Sequence, residues 1–177
     1  MLKNIHPLTL GLSASMMTVM VGSLTAPAMA ASRISFWYGP FQQSVSTSSL
    51  RQYVQTQQAS SDVSGLLRFM KPQDREGLVN VLKVSLPIDV VTVSRLLNSP
   101  AGDQLLNKLS PMFIRRDQAG VVALRGAIVL ASSSKNGLGI LSILEAYPAR
   151  EVNISIPEIL SLTKNGGFEG LMGSFLK

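Results

Sequence analysis

The stretch from Gly120 to Ser134 constrains the fold of this chain most, because it is apolar over about four helical turns. Its only charge is that of Arg125. A surface helix normally has one polar face, whereas a helix that is apolar on nearly every side is typical of a buried position. We therefore predict a buried central helix over about residues 120–134.

Arg125 is the one side chain of this stretch with alternative roles. Its methylene groups could lie along apolar neighbours while the guanidinium reaches solvent. It could instead bind an anion or form a buried pair with the carboxylate of Asp89, Asp103 or Glu145. Truncating one partner of a buried pair would cost about 3–5 kcal/mol. Arg125 is therefore our candidate structural or anion-pairing residue.

The first thirty of the 177 residues have the three parts of a secretory signal peptide. Lys3 precedes an apolar run from Leu8 to Val21, and Ala28-Met-Ala30 forms a small-residue cleavage site. The run is too short to span the ~30 Å hydrocarbon layer comfortably, although an uncleaved N-terminal anchor is the alternative. We predict cleavage after Ala30, export to a periplasm, thylakoid lumen or extracellular space, and one mostly helical domain over 31–177.

The predicted exported chain offers little catalytic chemistry. The sequence has no cysteine, and its one histidine, His6, lies in the signal segment. Ser-His-Asp and Cys-His systems need an imidazole, and the usual zinc, haem and iron–sulfur sites need His or Cys. We predict no catalytic residues, no metal site, no cofactor and no disulfide. The residues favour a protein that is not an enzyme, without deciding the question.

The chain is basic, with 16 Lys and Arg against 10 Asp and Glu and a formal net charge of +6. The basic residues are dispersed, and the longest run, Arg115-Arg116, is followed at once by Asp117. Nucleic-acid surfaces normally cluster their basic residues. We predict a soluble basic surface, no nucleic-acid partner and no stable membrane span once the signal peptide is removed.

Two regions alternate as β-strands do, and they predict a small sheet from residues 33–46 and 150–156. Gly39-Pro40 would turn the first region into a hairpin. Aromatic residues concentrate between Phe36 and Phe41, where they could pack on helices or bind a partner or a sugar. Trp37 lies on the alternate face of its strand and is our candidate interaction surface.

Helices with recognisable starts account for most of the remaining sequence. The predicted fold is therefore α+β and mostly helical, with about seven short helices packed around the 120–134 helix. The tail after Gly166-Gly167 is predicted to be a loosely helical lid over the core or a partner-binding segment. The predicted helix starts are Ser48 or Ser49, Asp62, Pro72, Asp89, Ser99, Leu138 and Pro157.

Five segments between residues 33 and about 157 resemble, in the expected order, a known family. They resemble the N-terminal domain of unknown function that precedes an alpha/beta-hydrolase domain in proteins of photosynthetic prokaryotes. The segments are Ile34-Ser-Phe-Trp-Tyr-Gly-Pro-Phe41, Phe69-Met-Lys-Pro-Gln-Asp-Arg75, Pro87-Ile-Asp-Val90, Arg95-Leu-Leu-Asn-Ser-Pro-Ala-Gly102 and Ala123-Leu-Arg-Gly-Ala127.

The resemblance implies a family context without supplying a site. The family is commonly labelled alpha/beta hydrolase, and its longer members carry a lipase-like or acetylhydrolase-like catalytic domain downstream. Lys177 stands where that domain would begin, so the family's catalytic Ser, Asp and His have no counterpart to carry over. We expect residues 157–177 to form a C-terminal helix and tail.

Three functions follow from the residues and the resemblance together. The first is an exported, non-catalytic accessory or interaction domain that acts on a protein partner, for example a hydrolase. The second is a carrier that holds an apolar ligand between its helices. The third is a hydrolase, as the family label implies, that works without histidine. The sequence leaves the oligomeric state open.

Overall fold

The structure is a computed structural model that describes residues 30–114, 118–164 and 166–176. Residues 1–29 of the predicted signal peptide and the basic pair Arg115-Arg116 lie outside the described residues. The predicted mostly helical α+β fold is confirmed.

The described residues form three strands, nine α-helices and one 3₁₀ helix. The predicted starts account for seven of these α-helices, another is the predicted 120–134 helix, and the last forms from the glycine-rich tail. The strands are β1 (Arg33–Tyr38), β2 (Phe41–Ser46) and β3 (Glu151–Ser155). The first α-helices are α1 (Thr47–Thr56), α2 (Ser61–Phe69), α3 (Pro72–Lys83), α4 (Val90–Leu97) and α5 (Pro100–Leu109), with the 3₁₀ helix at Ser110–Met112. The others are α6 (Gln118–Ser132), α7 (Ile140–Ala146), α8 (Ile156–Lys164) and α9 (Gly167–Phe175).

The predicted sheet is confirmed, with strand order β2-β1-β3. β1 and β2 form the antiparallel hairpin, in which Gly39 adopts a positive φ of 59° that a glycine tolerates at no steric cost. β1 also pairs in parallel with β3, which places Arg33 opposite Glu151. The helices α1–α7 lie between β1 and β3 in the chain, so the pairing of these two strands brings the two ends of the helical region together.

The observed helix caps match the predicted ones at α4 and α5. The side chain of Asp89 accepts hydrogen bonds from the first turn of α4, and Ser99 caps α5. Ser46 caps α1, slightly before the predicted start. Asp62 lies in the first turn of α2 rather than at the cap position, which Ser60 occupies. The carboxylate of Asp62 instead accepts a hydrogen bond of 3.0 Å from the Ser46 N–H.

The predicted burial of the 120–134 helix is wrong in part. In α6, Leu124, Ala127, Ile128 and Ala131 are buried, but Val122 is 70% exposed. The helix buried on all sides is α7, whose residues 140–144 are all buried and which packs against α1, α3 and α6. An apolar composition indicates that a helix can be buried. Which of its sides are buried depends on the helices that pack against it.

The tail packs on the core, as one of the two sequence interpretations expects. Phe168 and Met172 of α9 are fully buried, and α9 packs against α8 and α5. They join the hydrophobic cluster that also contains Ile34 and Phe36 of β1. In the part of the chain that the structure describes, no helix has the length and apolar character needed to cross a membrane.

Candidate functional site

Arg125 connects α6 to the corner between α4 and α5. Its guanidinium donates to a carboxylate oxygen of Asp103 at 2.8 Å and to the backbone carbonyl of Leu97. Asp103 is one of the three carboxylates that the sequence offers as partners. The side chains of Arg125 and Asp103 are 34% and 66% exposed, so the pair is not buried as that alternative supposes. A solvent-exposed pair of this kind contributes about 0–1 kcal/mol to stability.

The other two carboxylates have different roles. Asp89 caps α4, and hydrogen bonds from the Thr92 hydroxyl and from the backbone N–H groups of Thr92 and Val91 lower the pKa of its carboxyl. Glu145 of α7 forms a bidentate pair with Arg51 of α1, with N–O distances of 2.6 and 2.5 Å. Sequence spacing could not separate these three candidates, because the choice depends on how the helices pack.

The outward face of α6 is defined by Val122, Gly126 and Leu130, which lie four residues apart on one side of the helix. Val122 is 70% exposed and Leu130 is 53% exposed. A Cβ atom placed on Gly126 would meet no atom within 4 Å. The charge of Arg125 is directed to Asp103, so this face presents an uncharged apolar surface with a shallow notch at its centre.

Trp37 lies on the solvent side of the sheet, as predicted. It is 36% exposed, and its indole N–H donates to the side-chain oxygen of Asn153 in β3 at 3.4 Å. On the opposite side of the hairpin, Phe41 stacks on Phe69 at the end of α2, with ring centroids 4.6 Å apart. Phe41 and Phe69 are 46% and 41% exposed, so the aromatic cluster is only partly used for core packing.

A polar cluster that the sequence did not predict lies on the same face of the sheet as Trp37. The hydroxyls of Ser35 and Ser44 are 2.6 Å apart, and both donate to the same oxygen of Glu151. These hydrogen bonds, of which that from Ser35 has the larger effect, hold the pKa of the Glu151 carboxyl below its usual range. The positive charge of Arg33 lowers this pKa by a smaller amount. The alternating pattern of the strands was the only sequence signal for this cluster. The pattern does not give the register in which β1, β2 and β3 pair, and that register brings the three side chains together.

The geometry of this cluster does not suit nucleophilic catalysis. A general base needs a pKa near the working pH, whereas the pKa of Glu151 is lowered. Ser35 is fully buried, so a substrate carbonyl could not approach its hydroxyl oxygen. The described residues include neither histidine nor cysteine, and they hold no group of three acidic residues placed to bind a metal ion. The cluster stabilises a charge within the sheet.

Two cavities bear on the ligand-carrier hypothesis. One, of about 260 Å³, lies between α6 and β3, where Phe113 and Tyr147 stack with centroids 5.2 Å apart beside Glu151 and Asn153. The other, of about 560 Å³, is an open groove lined mainly by polar residues such as Lys135. Pockets for apolar ligands are typically enclosed and about 300–1,000 Å³ in volume. The first cavity has mainly apolar walls but is smaller than that range, and the second is open to solvent and is lined in part by Asp89 and Lys135.

Comparison with known proteins places the chain in a family. Residues 30–155 match the family model described as alpha/beta hydrolase of unknown function (DUF1400). No curated protein and no solved structure matches the chain. The match includes the sheet, the polar cluster and the whole of α6, and it ends at the last residue of β3. Since it spans well over half of the sequence, the chain belongs to the family of alpha/beta hydrolases of unknown function.

Proposed function

We propose that this chain is an exported, non-catalytic interaction domain that binds a protein partner through the outward face of α6. The observation that carries the proposal is the exposure of Val122 and Leu130 on a helix side that bears no charge. The centres of protein interfaces are depleted in charged residues, as this face is. The partner could be a hydrolase of the kind that the family label names.

Gly126 supports a close approach by another backbone. A glycine inside a helix costs about 1 kcal/mol relative to alanine. No described neighbour would contact a Cβ at this position, so packing within the domain does not require a glycine here. A partner helix that crosses α6 at Gly126 would use the notch and contact Val122 and Leu130 on either side of it.

Site-specific photo-crosslinking of the full chain in its native cells tests this proposal. A crosslinker at Val122 should give one discrete adduct, and a crosslinker at Gln52, exposed on α1, is the matched control. Gly126→Leu in the Val122 crosslinking chain should abolish the adduct, since the larger side chain fills the notch. Equal adducts from both positions, or an adduct that survives Gly126→Leu, would contradict the proposal.

The family description supports hydrolase activity as a second candidate. An alpha/beta hydrolase presents its nucleophile on a turn from a sheet strand to a helix. Ser35 lies inside a strand, and Ser46, at the junction of β2 and α1, uses its hydroxyl to cap α1 by accepting a hydrogen bond from the Ser49 N–H. Purified full chain should therefore show no turnover of short-chain p-nitrophenyl esters. Turnover that persists through purification and is lost in Ser35→Ala would establish the hydrolase and refute the non-catalytic reading.

A further inference from the structure

The hairpin turn and the corner between α2 and α3 together form an exposed aromatic tip. We define the aromatic tip as Pro40, Phe41, Arg68, Phe69 and Lys71, all of which are exposed. The stacked rings of Phe41 and Phe69 form its apolar centre. This tip is separate from the outward face of α6, and the proposed protein partner does not use it.

The charges around the tip are mostly positive. Residues 68–76 carry the cations Arg68, Lys71 and Arg75 and the acids Asp74 and Glu76. Asp74 accepts a hydrogen bond of 2.6 Å from the hydroxyl of Tyr38. The two cations next to the rings, Arg68 and Lys71, are solvent-exposed, and the whole chain carries a formal net charge of +6.

We propose that the aromatic tip binds the surface of a membrane that contains anionic lipid. Apolar aromatic rings that enter the boundary between headgroups and acyl chains, flanked by Lys and Arg that contact anionic headgroups, are the two elements of interfacial membrane binding. Phenylalanine rings offer no hydrogen bonds, which makes the tip a poor match for a sugar. The two rings are 46% and 41% exposed, so the tip presents them to solvent.

The position of the single tryptophan makes the tip directly observable. Trp37 is the only tryptophan in the chain, and it pairs with Gln42 next to the hairpin turn. Its fluorescence reports on the hairpin, and the tip variants below separate insertion of the tip from any contact between residues 1–30 and lipid. Brominated acyl chains quench a tryptophan only at close range, so quenching measures insertion of this end of the molecule.

The experiment titrates the full chain with vesicles of brominated phosphatidylcholine, with and without phosphatidylglycerol, at low salt. We expect Trp37 quenching with the anionic vesicles and little with the neutral ones, and a loss of quenching as salt screens the charges. Phe41→Ser/Phe69→Ser should weaken binding about tenfold or more. Val91→Ser/Leu176→Ser, which removes exposed apolar side chains outside the tip and outside the α6 face, is the control and should bind as the parent does.

A second pair of variants tests the charges. Each Lys or Arg near an anionic surface contributes about fivefold to binding, so Arg68→Gln/Lys71→Gln should weaken it by about 25-fold. Lys135→Gln/Lys164→Gln removes two exposed cations elsewhere and should have a much smaller effect. Equal loss in both pairs, equal quenching by neutral vesicles, or no quenching at all would overturn the proposal.

Discussion

At the residue scale, two helical glycines have opposite structural roles. Gly126 lies on an open helix surface, whereas Gly102 is buried where α5 meets α4. A Cβ on Gly102 would lie 2.5 Å from the Cα of Leu97 and would also overlap the carbonyl oxygen of Leu96. The backbone of α4 cannot yield as a flexible side chain would. Gly102 therefore permits the close contact between these two helices.

Alanine substitution should therefore change stability in opposite directions at these two positions. Gly126→Ala should raise the free energy of unfolding by up to about 1 kcal/mol, because it improves helix propensity without a clash. Gly102→Ala should lower it by about 1–3 kcal/mol through overpacking. Urea denaturation measures both changes. Gly173→Ala in α9, where a Cβ also meets nothing within 4 Å, is the control and should behave as Gly126→Ala does.

Also at the residue scale, the Glu151 cluster predicts a specific pH dependence. A carboxyl whose pKa is lowered by folding stabilises the native state above its unfolded pKa of about 4.3. That contribution is lost as the pH falls through the folded pKa. Ser35→Ala removes the main hydrogen bond to Glu151, so it should destabilise the domain at neutral pH, and this part of the difference should shrink below about pH 4.

Unfolding by urea at neutral and acidic pH would measure this dependence. Glu151→Gln serves as the comparison, because it removes the titrating group and should flatten the pH dependence at this site. A Ser35→Ala effect of the same size at both pH values would instead show that the hydroxyl acts through packing alone.

At the element scale, α6 and α7 show what an apolar sequence does and does not determine. The composition of 120–134 correctly predicts a helix in contact with the core, since Leu124 and Ile128 are buried. It does not indicate that Val122 and Leu130 face outward, because apolar residues occur on every side of the helix. The helix α7 is shorter, and its sequence predicts a helix without indicating that it packs against α1, α3 and α6.

The tail helix α9 provides a test at the same scale. Its sequence is rich in glycine, and the family match ends before it, at residue 155. Phe168 is nevertheless 0% exposed, so α9 belongs to the hydrophobic core. Phe168→Ala should lower the free energy of unfolding by about 3–5 kcal/mol, the cost of a large cavity.

Leu176→Ala is the matched control for Phe168→Ala, because Leu176 is 38% exposed, and it should cost less than about 1 kcal/mol. Thermal or urea unfolding of the two variants gives the comparison. Equal small effects would mean that α9 separates readily from the rest of the molecule, and would favour the partner-binding interpretation of the tail.

At the scale of the whole molecule, local signals predicted the elements and tertiary packing determined the sites. Local signals act within a few residues and can be recognised in the sequence, as with the caps at Asp89 and Ser99 and the alternation of β1 and β3. The pairing of Arg125 with Asp103 joins two helices, and the hydrogen bond from Ser35 to Glu151 joins strands 116 positions apart. Such contacts depend on register and helix packing, which a single sequence does not specify.

Also at the scale of the whole molecule, the position of the predicted cleavage site links the fold to the predicted export. Ala30 is exposed, whereas Ala31 is 4% exposed, and its N–H donates to the carbonyl of Glu145 at 3.1 Å. Folding therefore restricts access to the bond between Ala30 and Ala31, so a signal peptidase would have to cut before the domain folds. Cleavage would place the new ammonium group at the C-terminal end of α7, where the helix dipole favours a positive charge.

N-terminal sequencing of the protein from the exported fraction should therefore begin at Ala31. Purified full chain that has already folded should resist signal peptidase, while the same chain unfolded in urea and diluted into the enzyme should be cut. Acetylation of the new N-terminus should lower the free energy of unfolding by about 0.3–1 kcal/mol, because it removes the charge next to Glu145. An exported protein that retains residues 1–30 would instead support the N-terminal anchor.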